Sequence, residues 1–123
     1  MATRSKDNLK KISELCEYLS DRDILMKEEN VLMKNIFDSL PIKIIALRVN
    51  KDFKITNHIS NIQKVDYKQL SENEAFLNSC KKALTNNQDI AKIDLAGHTF
   101  ECVNKRIKEA DDIEAIISVA WAG

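Results

Sequence analysis

The chain has 123 residues, with 19 Lys and Arg against 19 Asp and Glu, and only two glycines and one proline. This length leaves room for one small domain and an appendage. The balanced charge gives no electrostatic reason to expect nucleic acid as a partner, and two glycines are too few for a glycine-rich phosphate-binding loop. A hydrophobic fraction of 44% beside 31% charged residues is typical of a folded soluble domain rather than a disordered segment.

Three cysteines, Cys16, Cys80 and Cys102, lie far apart in the sequence. They form no CxxC or CxxH pair, and an odd number at wide spacing favours neither a zinc site nor a disulfide framework. Free thiols suit a reducing compartment. The polar N-terminus lacks the apolar core of a signal peptide, and no apolar stretch is long enough for a transmembrane helix. We therefore expect a cytoplasmic protein with no membrane segment and no metal.

Residues 6–40 contain neither glycine nor proline and carry apolar residues in a heptad repeat. Sustained apolar a and d positions predict a coiled-coil helix, which at this length would reach about 50 Å and extend beyond a small domain to pair with a second chain. The predicted dimerisation residues are Leu9, Ile12, Cys16, Leu19, Met26, Asn30, Met33 and Phe37.

Two alternatives to this long helix stay open. Apolar residues outside the a and d positions, such as Leu15 and Leu32, widen the stripe, and a wide stripe also suits a helix that lies on its own domain. The helix could instead break near Ser20-Asp21, where these residues could cap a second helix.

After Pro41 the periodicity changes from helical to extended. The sequence predicts a helix over 72–86, ended by Asn86-Asn87, and strands over 43–49, 53–57, 89–95, 98–107 and 113–121. The first and last strands are apolar on both faces, which is typical of strands covered on both sides. We expect an α+β fold in which these two strands occupy the sheet centre, short helices cover one face, and the N-terminal helix or a second subunit covers the other. Residues 1–40 then form a dimerising helix and residues 41–123 the domain.

The segment IKIIALRVNKDFKITNHISNIQKV after Leu40-Pro41 resembles the opening of PAS (Per-Arnt-Sim) sensory domains. Members often combine a leucine-proline helix exit, a strand, a turn containing Asp and a strand ending in Asn, which here look like Asp52 and Asn57. The tail LAGHTFECVNKRIKEADDIEAIISVAW is similar to the last strands of that family, so the resemblance covers about residues 34–121. Two features depart from the pattern: Phe53 stands where many members have Gly, and the middle helical segment is short.

The resemblance implies a five-stranded antiparallel sheet that cups a small cavity. The residues expected to face it, from the 72–86 helix and the 98–107 strand, are Phe76, Cys80, Phe100, Cys102 and Asn104. Such a pocket is mostly apolar with a few polar groups that orient the ligand. Asn104 would be one of these polar groups. Ordinary core packing is the alternative for these residues. The flavin motif Asn-Cys-Arg-Phe-Leu-Gln is absent and the 72–86 helix has no histidine, so the motifs support neither flavin nor heme.

The chain carries two histidines, His58 and His98, and no GxSxG or HExxH motif accompanies them. We therefore expect a non-catalytic, PAS-like sensory or signalling module that homodimerises through its N-terminal helix and binds a small ligand in the sheet cavity. The alternative is a constitutive dimerisation or protein-interaction adaptor with a closed pocket, which a cavity filled by Phe76 and Phe100 would favour. An effector domain in a longer protein, or a separate partner protein, would supply the output.

Overall fold

The computed structural model describes residues 10–19, 31–95, 97–107 and 115–122. In chain order these contain helix α1 (residues 10–19), α2 (Val31–Asp38), β1 (Lys43–Asn50), β2 (Ile55–Ser60), α3 (Tyr67–Ser71), α4 (Glu74–Asn86), β3 (Gln88–Leu95), β4 (His98–Arg106) and β5 (Ala115–Ala122). The strands form one antiparallel sheet in the order β2-β1-β5-β4-β3. The α+β class, the five antiparallel strands and the short helices are therefore confirmed.

Strands β1 and β5 lie inside the sheet, as their apolar character on both faces predicts. Their pairing is continuous over eight residue pairs, from Lys43 opposite Ala122 to Asn50 opposite Ala115. Side chains of β5 alternate between two separate apolar clusters. Ile116 and Ala120 point to the face covered by α3 and α4, which we name the inner face. Ala115, Ile117 and Val119 point to the opposite, outer face.

Helix α1 packs against the outer face of this chain's own sheet. Ile12, Cys16 and Leu19 are buried there, and the Cys16 thiol lies 3.4 Å from the Ile117 carbonyl and 3.8 Å from that of Val103. The sequence left two possible covers for the outer face of the sheet, the N-terminal helix or a second subunit. In the described residues the N-terminal helix covers it. The stripe on α1 is wide because it faces a sheet surface rather than a narrow seam.

A long N-terminal helix is not seen among the described residues. Helix α2 begins at Val31 and contains eight residues, while residues 20–30, including the possible break at Ser20-Asp21, lie outside the described ranges. The predicted dimerisation residues Leu9, Met26 and Asn30 lie outside them too. The other five belong to one cluster on the outer face: Ile12, Cys16, Leu19, Met33 and Phe37. Homodimerisation itself stays a prediction.

Helix α2 ends at Asp38, two residues before the predicted end, because its last turn tightens. The N–H of Ser39 reaches both the Asn35 and the Ile36 carbonyls at 3.2 Å, and Pro41, which has no N–H, prevents continuation. Asn61 then joins this exit to the sheet. Its carboxamide donates to the carbonyls of Phe37 and Ile42 at 2.9 and 2.6 Å and accepts from the Ile44 N–H at 2.9 Å.

The second strand was placed wrongly from the sequence: it spans Ile55–Ser60 rather than 53–57. The turn before it is longer than expected, since the Asn50 side chain accepts the N–H groups of Asp52 and Lys54 at 2.9 and 3.0 Å. Phe53 adopts a left-handed backbone with φ of 62°, which is incompatible with a strand. Asn57 consequently lies within β2, and the asparagine that follows the strand is Asn61.

Helix α4 and strands β1, β3 and β4 differ from prediction by one or two residues at their ends, β5 ends one residue later than predicted, and its predicted start at residue 113 lies outside the described residues. Helix α3 had no predicted bounds. Local chemistry explains the boundaries of α4. Helix α4 starts at Glu74 because the Asn73 side chain caps it by accepting the Phe76 N–H at 3.0 Å. It ends where Asn87 turns left-handed with φ of 72°, as predicted. Gly97, with φ of 79°, lies in the predicted tight connection between β3 and β4.

Adjacent residues of α2 provide a test of this packing. Phe37 is fully buried, whereas Ile36 is 44% exposed. We expect Phe37→Ala to lower the free energy of unfolding by about 3–5 kcal/mol and Ile36→Ala to change it by less than about 0.5 kcal/mol. Urea unfolding at two protein concentrations measures both. Because the contact lies within one chain, the Phe37→Ala loss should not depend on concentration; equal losses for the two variants would contradict the packing.

Candidate functional site

The five residues predicted to face a cavity are brought together on the inner face. Phe76 and Cys80 come from α4, and Phe100, Cys102 and Asn104 alternate along β4, so that both sets point into the layer between helix and sheet. All five are buried, four of them without exposed surface and Phe100 nearly so. The four apolar members belong to one continuous packed cluster. The space at this position is therefore occupied by the residues that were expected to line it.

A hydrogen-bonded network surrounds the Asn104 carboxamide inside this layer. Its Nδ2 donates to the Ser79 Oγ at 2.7 Å, and the Ser79 hydroxyl donates to the Asp89 carboxylate at 2.7 Å. Its Oδ1 accepts from the thiols of Cys102 and Cys80, at 3.5 and 3.9 Å. Because a buried amide without partners costs about 1–3 kcal/mol, these contacts stabilise the polar group where it is. Asn104 is thus engaged by the protein itself rather than directed at an empty space.

The three thiols are buried and free, and burial suppresses their reactivity. Burial is the main cause that raises the pKa of Cys16 from 9.0 to about 12, with a smaller rise from Cys102 and a lowering by Lys105. Burial likewise raises the pKa of Cys102 to about 11, and the contact with the Ser118 hydroxyl lowers it. The pKa of Cys80 is raised by the same cause. Since the thiolate is the nucleophile, these thiols are poor candidates for covalent chemistry.

The raised thiol pKa values predict a loss of stability at alkaline pH. An unfolded thiol ionises near pH 9, whereas folded Cys102 and Cys16 ionise near 11 and 12. The contribution of each thiol is therefore complete below pH 9 and declines above it, by about 1.4 kcal/mol per pH unit, until the folded thiol also ionises. Urea unfolding between about pH 8 and 10.5 measures the slope.

Cys102→Ala should reduce that slope by the share of one thiol. Ser118→Ala is the matched control, because it removes the hydroxyl that lies 3.1 Å from the Cys102 sulfur without removing a titrating group. We expect Ser118→Ala to lower stability at every pH and to leave the slope unchanged. Equal slopes in the wild-type protein and in Cys102→Ala would show that the folded thiol is not desolvated.

Described residues line a smaller and a larger pocket that open on the surface of the inner-face layer. The smaller has a volume of about 200 Å³ and reaches one of the predicted residues, Phe100; the others in its wall are Lys43, Ile45, Ile62, Lys64, Val65, Asp66, Leu95 and His98. The larger, of about 520 Å³, is the basic groove, lined by Phe53, Lys54, Ile55, His58, Tyr67, Lys68 and Ser71. Phe76, Cys80, Cys102 and Asn104 line neither pocket.

The basic groove is built by three local elements at the β2 edge. The β1–β2 turn presents Phe53, strand β2 presents His58, and the short helix α3, capped by the Asp66 side chain, presents Tyr67. The His58 and Tyr67 rings stack with centroids 3.9 Å apart and planes at 22°. Partial burial raises the pKa of Tyr67. Sequence reasoning missed this groove because no motif accompanies His58; the Phe in a Gly position was its one visible signal.

The described residues give no group of three or more His, Cys, Asp and Glu side chains that could hold a metal ion. Within the same ranges, no helix combines the length and the apolar character needed to cross a membrane. Comparison of the chain with protein-family models, with curated proteins and with solved structures yields no match. A function must therefore be argued from the chain itself.

Proposed function

We propose that this protein is a non-catalytic, PAS-like signalling adaptor of the cytoplasm, which acts by contact with other proteins and holds no small ligand inside its sheet. The observation that carries the proposal is the filled inner-face layer. Phe76, Cys80 and Cys102 have no exposed surface, and Phe100 is almost fully buried. Between the sensory and the adaptor alternatives, a filled cavity favours the adaptor.

The dimensions of the remaining space support this choice. Ligand pockets commonly have volumes of about 300–1,000 Å³, whereas the pocket that reaches Phe100 has about 200 Å³. A ligand that entered the layer would have to displace Phe76 or Phe100 from the apolar cluster. It would also disturb Asn104, whose carboxamide has partners on both its nitrogen and its oxygen. Both changes work against binding.

The architecture supports a PAS-like module. The resemblance implied a five-stranded antiparallel sheet, and the sequence pattern predicted short helices on one face; both are present in the described residues. The raised pKa values of the buried thiols disfavour a cysteine-based reaction. The flanking helix α1 contacts the sheet at Cys16 and through an ion pair of 3.2 Å between Glu17 and Lys105. A change in the packing of the sheet would therefore alter the packing of this helix.

Native mass spectrometry of the full chain, purified without added ligand, tests the closed interior. We expect the mass of the polypeptide without a bound small molecule. In parallel, xenon titration followed by NMR should show no saturable interior site in the wild-type protein. A co-purifying molecule, or a saturable xenon site in the wild-type interior, would overturn the adaptor and favour the sensory alternative.

The cavity variant Phe76→Ala is the positive control for this experiment. Removal of a fully buried ring leaves an apolar space, and engineered spaces of this kind bind xenon. We expect a lower stability, by about 3–5 kcal/mol, and a saturable xenon site that the wild-type protein lacks. Leu77→Ala, on the same helix but only partly buried, should acquire no such site.

A further inference from the structure

We propose that the basic groove binds an extended acidic peptide segment of a partner protein. The inference rests on the proposed function, because an adaptor with a closed interior must present its binding surface on the outside. It goes further by naming the surface and the chemistry of the segment that occupies it. Four independent features of the groove support it: its charge, its ring surface, the conformation of Phe53 and its position at a sheet edge.

The charge of the groove is one-sided. Its seven lining residues include two exposed lysines, Lys54 and Lys68, and no carboxylate. A third ammonium group lies close by, since the Lys81 Nζ is 5.8 Å from the centre of the Phe53 ring. The nearby Asp66 is occupied with capping α3, where it accepts the Gln69 N–H at 3.0 Å. In a chain with 19 cationic and 19 anionic residues, this local excess favours an anionic partner.

Aromatic rings form a flat surface between these charges. His58 and Tyr67 stack on one another, and Phe53 is half-buried beside them in the same groove. Aromatic groups supply a large contact area with little loss of conformational freedom. The groove therefore offers space for one ring or branched apolar side chain, with carboxylates on either side of it.

Phe53 has a backbone conformation that is unfavourable for a bulky residue, and its ring packs against the edge of the inner-face cluster. Its N–H donates to the Asn50 carbonyl at 2.9 Å, and its φ of 62° lies in the left-handed region. At this position of a hairpin turn glycine is favoured, and a bulky residue costs conformational energy. Strained residues of this kind concentrate at binding sites. Here the strain holds an aromatic ring at the wall of the groove.

The position of β2 at the sheet edge suits an extended segment. Strand β2 pairs with β1 alone, with regular pairing from Asn57 to Ser60 after an irregularity opposite Arg48 and Val49. Among the described residues, the other side of β2 makes no backbone hydrogen bond; the Lys34 ammonium contacts the Ser60 carbonyl. Edge strands with free backbone groups accept added strands from partner proteins. A bound peptide would thus combine backbone pairing with contacts to the lysines and rings.

The test uses the 123-residue chain and the synthetic peptide acetyl-Glu-Thr-Tyr-Thr-Glu-amide. In an extended peptide alternate side chains share one face, so both carboxylates and the ring face the groove together. NMR titration into the millimolar range should give saturable shifts of the amide signals of Phe53, His58, Tyr67 and their neighbours. The peptide with Lys in place of both Glu residues should bind at least about tenfold more weakly.

Matched variants locate the interaction. Lys54→Glu and Lys68→Glu should each weaken binding by roughly three- to fivefold. Lys92→Glu, an exposed lysine on the opposite edge strand β3, makes the same charge change and should leave the affinity unaltered. Phe53→Gly should abolish saturable binding while the melting temperature shifts by less than about 5 °C, because relief of the left-handed strain offsets the lost contacts.

Each other outcome overturns the proposal in a distinguishable way. If no amide signal of the groove shifted, or if the lysine peptide bound equally well, an acidic peptide would be excluded as the occupant of the groove. Tighter binding of a single-stranded oligonucleotide at the same signals would assign the groove to nucleic acid, and shifts on dilution without peptide would assign it to a second copy of this chain. These results leave the closed interior intact. A co-purifying small molecule would instead contradict the proposed adaptor function, whatever the groove binds.

Discussion

The central strand β5 is buried on both faces, and the chain itself supplies both covers. On the inner face, α4 packs over Ile116 and Ala120; on the outer face, α1 contacts the Ile117 backbone through Cys16, and α2 belongs to the same apolar cluster and packs next to β2. Apolar burial of this extent is the main favourable term in folding. Helices α1 and α4 cover the two sides of this strand, which pairs with β1 along its whole length.

This double cover determines where a function can reside. The inner layer is filled by rings, thiols and a satisfied carboxamide, so it offers little space for a ligand. The outer face is occupied over β4 and β5 by α1, whose Cys16 contacts backbone carbonyls of both strands. Within the described ranges, the periphery of the sheet offers a more open surface. There the β1–β2 turn, strand β2 and α3 place two lysines and three aromatic rings around one groove, which is why we propose the β2 edge as the surface that binds a partner.

Much of the fold could be predicted from the sequence because its strongest signals reflect burial. The two strands that are apolar on both faces are central, and helix α4 ends at a left-handed Asn87 as its sequence indicates. Alternation along β4 also placed Phe100, Cys102 and Asn104 on one face correctly. These features depend on local periodicity or on the properties of single residues, which a sequence displays directly.

Other features depend on contacts between distant residues and could not be predicted. The heptad pattern of the N-terminal segment is compatible with a partner helix or with a sheet, and the choice is made by contacts such as that of Cys16 with Ile117. Strand β2 was misplaced because the Asn50 side chain extends the turn. The joining role of Asn61 requires partners on both sides of Pro41. The groove combines residues from a turn, a strand and a helix, so no motif marks it.

Amide hydrogen exchange of the native protein tests the double cover most directly. We predict that the amides of β5 exchange only through global unfolding, with a free energy equal to that from urea unfolding, and that amides of α1 near Cys16 are protected well beyond the level of an isolated helix of this length. The edge strands β2 and β3 should exchange at lower free energies. If the amides of β5 exchanged far below the global value, or if those of α1 exchanged like an unstructured peptide, one cover would be missing and the account would be contradicted.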